Sequence, residues 1–154
     1  MQGRKVTAGT AHGERIVVPD ASVILKWIDR LPGEKDRERA DALLDAWLDG
    51  RLEIVVPPLW AFEVANVLGR EDPLGAGPIM EELLGFRFEE ADPTPELCRA
   101  AFGLVKDFRV TFYDAVYHAA ALIRKGVFVT ADEAYFRKAG RRGGVALLRD
   151  FIPV

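Results

Sequence analysis

The sequence predicts an α/β fold, a mainly parallel sheet covered by helices on both faces. Three observations predict it. Short apolar runs rich in β-branched residues alternate along the chain with segments of helical periodicity. The first run, Ile16-Val17-Val18, is unbroken, as suits a strand buried on both faces. Two of the runs lead directly into an acid, Asp20 and Asp132, at the strand edge where open α/β sheets bind ligands.

The elements follow in order. The strand at 16–18 ends at Pro19, which has no N–H for a ladder. Residues 21–29 look helical, and Leu31-Pro32-Gly33 breaks them. A second helix is expected over 34–49, with Ala40, Leu43, Leu44 and Trp47 as its buried stripe, a solvated charged run at 35–39, and Gly50 as its stop. Residues 52–56 read as a strand closed by Pro57-Pro58, and 59–69 as a helix. Residues 72–78 read as a loop, 79–84 as a short helix and 86–89 as a strand. Helices are expected at 95–108 and 111–125, the latter closed by Gly126 before a strand at 127–130. A helix at 133–139 and a strand at 145–148 complete the pattern. No internal repeat, low-complexity segment or linker interrupts it.

The chain of 154 residues suits one domain that can bury a core without staples. Residues 1–13 read as a flexible tail and 14–154 as the single domain. The lone cysteine, Cys98, excludes an internal disulfide and a cysteine zinc cage, which is compatible with the cytoplasm. No apolar run approaches the ~18 residues of a membrane span, and the N-terminus lacks the apolar stretch of a signal peptide. The net charge of −3 does not advertise nucleic-acid binding, so contact with phosphates must come from local basic groups or a metal.

Four acids stand in apolar company. Asp20 and Asp132 follow strands. Glu63 shares a helix face with Leu59, Asn66 and Val67, without a basic residue near it until Arg70. Asp114 lies in the first turn of a helix that is apolar nearly all round. Each also has a plainer explanation. Asp20 and Asp132 suit helix N-caps, the latter with Thr130 and Glu133 spaced as a capping box, and Thr111 with Asp114 has the same spacing. Glu63 suits a rim position. A parallel sheet places strand carboxyl ends and helix amino ends on one edge, so one topology gathers Asp20, Glu63, Asp114 and Asp132 in one cleft. Four like charges there raise one another's pKa, and a divalent cation relieves the repulsion. All-oxygen ligands suit Mg²⁺ or Mn²⁺ rather than zinc.

The sequence resembles the PIN-domain ribonucleases, most closely the VapC toxins of prokaryotic toxin–antitoxin pairs. The resemblance rests on Val-Pro-Asp-Ala-Ser-Val at 18–23, Glu-Val-Ala-Asn-Val-Leu at 63–68, Tyr-Asp-Ala at 113–115 and Thr-Ala-Asp at 130–132. It covers nearly the whole chain from about Arg15; the long tail before that point departs from the family. The resemblance implies a three-layer α/β/α sandwich and Mg²⁺- or Mn²⁺-dependent RNA cleavage. Asp20, Glu63, Asp114 and Asp132 then match the family's acidic quartet, Ser22 and Thr130 its hydroxyl positions, and Asn66 its polar position after the glutamate. It also implies an RNA substrate, a homodimer and a cognate VapB-like antitoxin.

Arg70, Arg137, Lys138, Arg141 and Arg142 are candidate contacts for RNA or an acidic partner, against the plainer reading of a solvated helix end for the last four. Two other functions stay open. One is a catalytically idle PIN-like module that binds RNA or protein. The other is a phosphatase of the haloacid-dehalogenase type, whose chemistry asks for a second acid where Ser22 stands. His118 shares a helix face with Asp114 and reads as a packed or capping histidine. No P-loop occurs, and Gly75-Ala-Gly77 does not follow a convincing strand.

Overall fold

The structure, a computed structural model, describes residues 15–29, 31 and 35–153. The tail expected at 1–13 lies outside the described residues. Five parallel strands, β1 (Arg15–Pro19), β2 (Leu52–Val56), β3 (Glu89–Glu90), β4 (Val127–Thr130) and β5 (Val145–Leu147), form the sheet. Their order is β3-β2-β1-β4-β5, with Val17 opposite Ile54 on one side and Val127 on the other. Neighbouring residues Val17 and Val18 point to opposite faces and both are wholly buried, so each face of the centre is covered.

The helices are α1 (Ala21–Ile24), α2 (Arg37–Leu48), α3 (Leu59–Glu71), α4 (Ala76–Gly85), α5 (Pro95–Phe108), α6 (Phe112–Ile123) and α7 (Glu133–Ala139). α6 lies across β2, β1 and β4, with α5 packed against it, while α2 covers β2 and α1 meets α3. This is the three-layer α/β/α arrangement. Residues 115 to 121 of α6 are all buried. Four of them are alanines, whose small side chains let the helix lie close on the strands. No described helix is long and apolar enough to cross a membrane.

Several elements differ from expectation for identifiable reasons. The helix expected over 21–29 is one α-turn followed by a 3₁₀ turn, Leu25–Trp27, after which Ile28 is extended. Trp27 Nε1 donates to the Ala40 carbonyl at 2.7 Å, tying the turn to α2. α2 begins at Arg37, behind Asp36 in the left-handed region (φ 63°). Its stripe is Ala40, Leu43 and Ala46, while Leu44 and Trp47 are half-buried. Gly50 does stop it, with φ 73°. α4 starts three residues before the expected 79, because the Asp72 carboxylate accepts from Gly75 N–H at 3.0 Å and folds the preceding loop into a helix entry. The strand expected at 86–89 shrinks to Glu89–Glu90. Phe86 caps α4, Arg87 turns left-handed, and Phe88 leaves the strand to join the aromatic core. Both strand residues are exposed glutamates.

Phe88 gathers the rings of Trp27, Trp47, Trp60 and Phe86 at centroid distances of 5.0 to 5.9 Å. Trp27, Trp47 and Phe86 are partly buried and pack against the core, whereas Phe62 is exposed. Opposite this cluster, Gly126 enters β4 beneath β1. A Cβ placed there would stand 2.5 Å from the Ile16 carbonyl oxygen, too close for any side chain. Gly126→Ala should therefore destabilise the fold by ~1–3 kcal/mol, read as a lower midpoint in denaturant. Gly69→Ala, on an open position of α3, should stabilise it by ~0.5–1 kcal/mol.

Candidate active site

After β1 the chain moves to β2 on one side and later returns to β4 on the other. The carboxyl ends of β1 and β4 therefore flank the point where the strand order reverses, which opens a crevice. Asp20 follows β1 and Asp132 follows β4. α3 leaves β2 through Pro57-Pro58, and α6 returns to the amino end of β4, so the first turns of both helices face the same edge. Glu63 and Asp114 lie near those helix starts.

Asp20 is held from three sides. Its Oδ1 accepts from Ala21 N–H at 2.9 Å, capping α1. Its Oδ2 accepts from the Ser22 hydroxyl at 2.7 Å and the Thr130 hydroxyl at 3.0 Å. Thr130 also accepts from Asp132 N–H at 3.0 Å, and Ser22 accepts from Ala131 N–H at 3.2 Å. The Asp20 N–H donates to the Val129 carbonyl at 2.9 Å. Asp20 is therefore both a helix cap and the centre of a seam joining two strand ends. Asp132 is likewise a cap, its Oδ1 accepting from Tyr135 N–H at 3.0 Å, whereas Asp114 follows the cap Thr111, to whose Oγ1 its N–H donates at 3.1 Å.

Glu63 is half-buried, and its Oε1 accepts from the Tyr117 hydroxyl at 2.6 Å. Sequence reading did not single out Tyr117. Its position, one turn after Asp114 on the same helix face, was the available signal. Asn66 is exposed, one turn further along α3.

The electrostatics bind the four acids together. Burial pushes the Asp20 carboxyl above the usual carboxylate range; its hydrogen bonds oppose this and the Asp114 charge adds to it. Burial likewise raises Glu63, with Tyr117 opposing and Asp20 and Asp114 adding. Burial raises Asp114, with Thr111 opposing, Asp132 adding and Lys138 opposing. Among the described residues no Lys or Arg forms an ion pair with any of the four. Nor do any three His, Cys, Asp or Glu side chains among the described residues stand together as a formed metal cage. The donor chemistry nonetheless fits a hard divalent cation: all are carboxylate oxygens, they repel one another, and none is held in an ion pair among the described residues.

The basic candidates divide. Arg70 pairs with its neighbour Glu71 at 3.1 Å. Arg137 lies 4.0 Å from Glu133 on the exposed side of α7, and Arg141 stacks over Phe108 at 5.0 Å. Lys138 is exposed and is felt by Asp114, and Arg142 is exposed. His118 is packed, as read. Its ring lies 2.7 Å from both the Tyr135 hydroxyl at Nδ1 and the Gly143 carbonyl at Nε2. The carbonyl can only accept, so Nε2 carries the proton and Nδ1 accepts from Tyr135.

The family model for the PIN domain matches residues 17–141. Among solved structures, a toxin–antitoxin complex from Klebsiella pneumoniae aligns over 86% of this chain and 97% of its own, at 14% identity and TM-score 0.64. PAE2754 from Pyrobaculum aerophilum aligns over 88% and 91%, at 21% identity and TM-score 0.63. Mycobacterium tuberculosis VapC20, described as a sarcin–ricin loop cleaving toxin, aligns over 90% and 98%, at 16% identity and TM-score 0.60. At such identities the likeness shows the fold. No curated protein matches the sequence.

A carboxyl raised by folding adds stability while protonated and loses that contribution as pH climbs through its raised value. Asp114→Asn removes the charge that the folded state resists. The metal-free variant should melt close to the parent at acid pH. It should then exceed the parent by a margin that widens to a few degrees as pH rises through and above the ordinary carboxylate range. Melting curves at several pH values in EDTA measure this.

Proposed function

We propose, on the premise that this chain belongs to the PIN domain family, that it is a Mg²⁺- or Mn²⁺-dependent endoribonuclease and the toxin of a VapBC-type pair. The observation that carries the reading is the seam at one sheet edge, where Asp20 Oδ2 takes the Ser22 and Thr130 hydroxyls and Thr130 takes the Asp132 N–H, with Glu63 and Asp114 on the helices that enter the same edge.

In this reading Asp20, Asp114 and Asp132 hold the metal directly, and Glu63 holds it directly or through water. A divalent ion bound there would lower the pKa of a water and neutralise charge on the phosphoryl oxygens. Ser22 and Thr130 fix the Asp20 carboxylate and occupy both lone-pair directions of Oδ2, while Oδ1, which accepts only from Ala21 N–H, keeps one for a further bond. Tyr117 fixes Glu63 through Oε1, which leaves Oε2 to orient the attacking water or take its proton. Asn66 would add a polar contact at the mouth. Arg137, Lys138, Arg141 and Arg142 would steer the RNA backbone, and the self-paired Arg70 would contribute less. The remaining partners are a second copy of this chain and a VapB-like antitoxin, and the setting is the cytoplasm. The phosphatase alternative is weakened because Ser22, standing where the second acid is needed, is committed to Asp20.

The test is direct. The purified protein should cut single-stranded RNA with Mn²⁺ and stop in EDTA. Asp20→Asn and Asp114→Asn should each lose more than ~100-fold of that activity while keeping a cooperative melt. Mn²⁺ at about 100 times its Kd should stabilise the parent by ~2.7 kcal/mol and the variants by much less. Undiminished cleavage in Asp20→Asn would overturn the assignment. Neutralising the four basic residues after Asp132 should weaken RNA binding and flatten its salt dependence.

A further inference from the structure

Beside the acidic cleft, an apolar groove of about 190 Å³ runs between the start of α3, the chain leaving β3 and the first turn of α6. Pro57, Pro58, Pro93, Phe112, Tyr113 and Val116 form its walls, and none of its lining residues is charged. Its position follows from the sequence. Tyr113 immediately precedes Asp114, and Leu59 at the groove's other wall lies one helical turn before Glu63. The walls are stiff. The prolines have fixed φ, Ala91 N–H donates to the Val56 carbonyl at 2.8 Å beneath them, and Phe112 is backed by Phe102 at 4.9 Å. Against these walls the Tyr113 side chain is 64% exposed.

We propose that this groove seats one base of the RNA strand, next to the scissile phosphate, with Tyr113 as the stacking surface. The inference rests on the nuclease reading of the acidic cleft and adds to it a site that anchors the strand beside the acids. The argument is chemical. A flexible single strand entering a cleft of carboxylates must place its backbone at the acids and its bases to one side. The side where the groove lies offers a neutral wall, room for one planar ring system and an exposed aromatic face. Stacking tolerates any base but requires the ring itself. A rigid groove gains the contact without first ordering its own walls.

Two measurements test it. Short single-stranded RNA carrying 2-aminopurine, titrated into the parent protein in EDTA, should be quenched on binding. Tyr113→Ala should bind it about 10-fold more weakly, and Tyr113→Phe should restore binding. With Mn²⁺, a substrate lacking one base beside the cleavage site should be cut with a raised KM by the parent, and no worse than the intact substrate by Tyr113→Ala. Equal binding by Tyr113→Ala, or indifference of the parent to the missing base, overturns the proposal and leaves a pocket for an apolar protein side chain. The two readings fail separately. Absence of cleavage by the parent with Tyr113-dependent binding intact removes the nuclease and keeps the groove. Full cleavage by Tyr113→Ala on intact and base-lacking substrates alike removes the groove and keeps the nuclease.

Discussion

One carboxylate organises the functional edge of this molecule. Asp20 caps α1 with one oxygen and takes the Ser22 and Thr130 hydroxyls with the other, so the ends of β1 and β4 are tied at the point where they would otherwise splay. Hydrogen bonds to a charged acceptor are the stronger kind, and here they oppose a burial penalty that still leaves the carboxyl reluctant to ionise. The seam also sets the position of Asp132, whose N–H hangs on Thr130. Two of the four acids are thus placed by one local network, and the other two are placed by helices entering the same edge.

That arrangement holds opposing demands. Asp20 and Asp132 serve as caps, which the fold needs, and the four acids repel one another, which it does not. A helix start already favours negative charge, so these positions offset part of the cost of keeping carboxylates close together. The plainer explanations hold in part: Asp20 and Asp132 are helix N-caps, whereas Thr130 takes the N–H of Asp132 rather than of Glu133, and Glu63 is tied to Tyr117. Sites commonly store such strain where chemistry requires it.

Strand and helix positions were legible where the pattern was local. The run at 127–130, the helix at 95–108 and the Gly50 stop all follow from residues within one turn of them. The parallel sheet followed from alternation, and with it the expectation that four scattered acids share an edge. What the sequence hid was decided across the fold. The 3₁₀ turn at Leu25–Trp27 depends on an indole reaching α2. The near-loss of β3 depends on Phe88 preferring the company of three tryptophans. Tyr117 was missed because a tyrosine in an apolar helix reads as core, and its ring is core; only its hydroxyl reaches Glu63. The basic residues were visible as a cluster, but their pairing, as in Arg141 over Phe108, was not.

The brevity of β3 has a consequence for how molecules of this kind meet. A sheet margin of two residues, both exposed glutamates and one already engaged by Arg124, presents almost no free ladder and repels its own image. Strand-by-strand polymerisation at that margin is thereby discouraged. Whatever contacts the chain makes on that flank must be made through side chains, which can be chosen, rather than through the backbone, which would accept any neighbour.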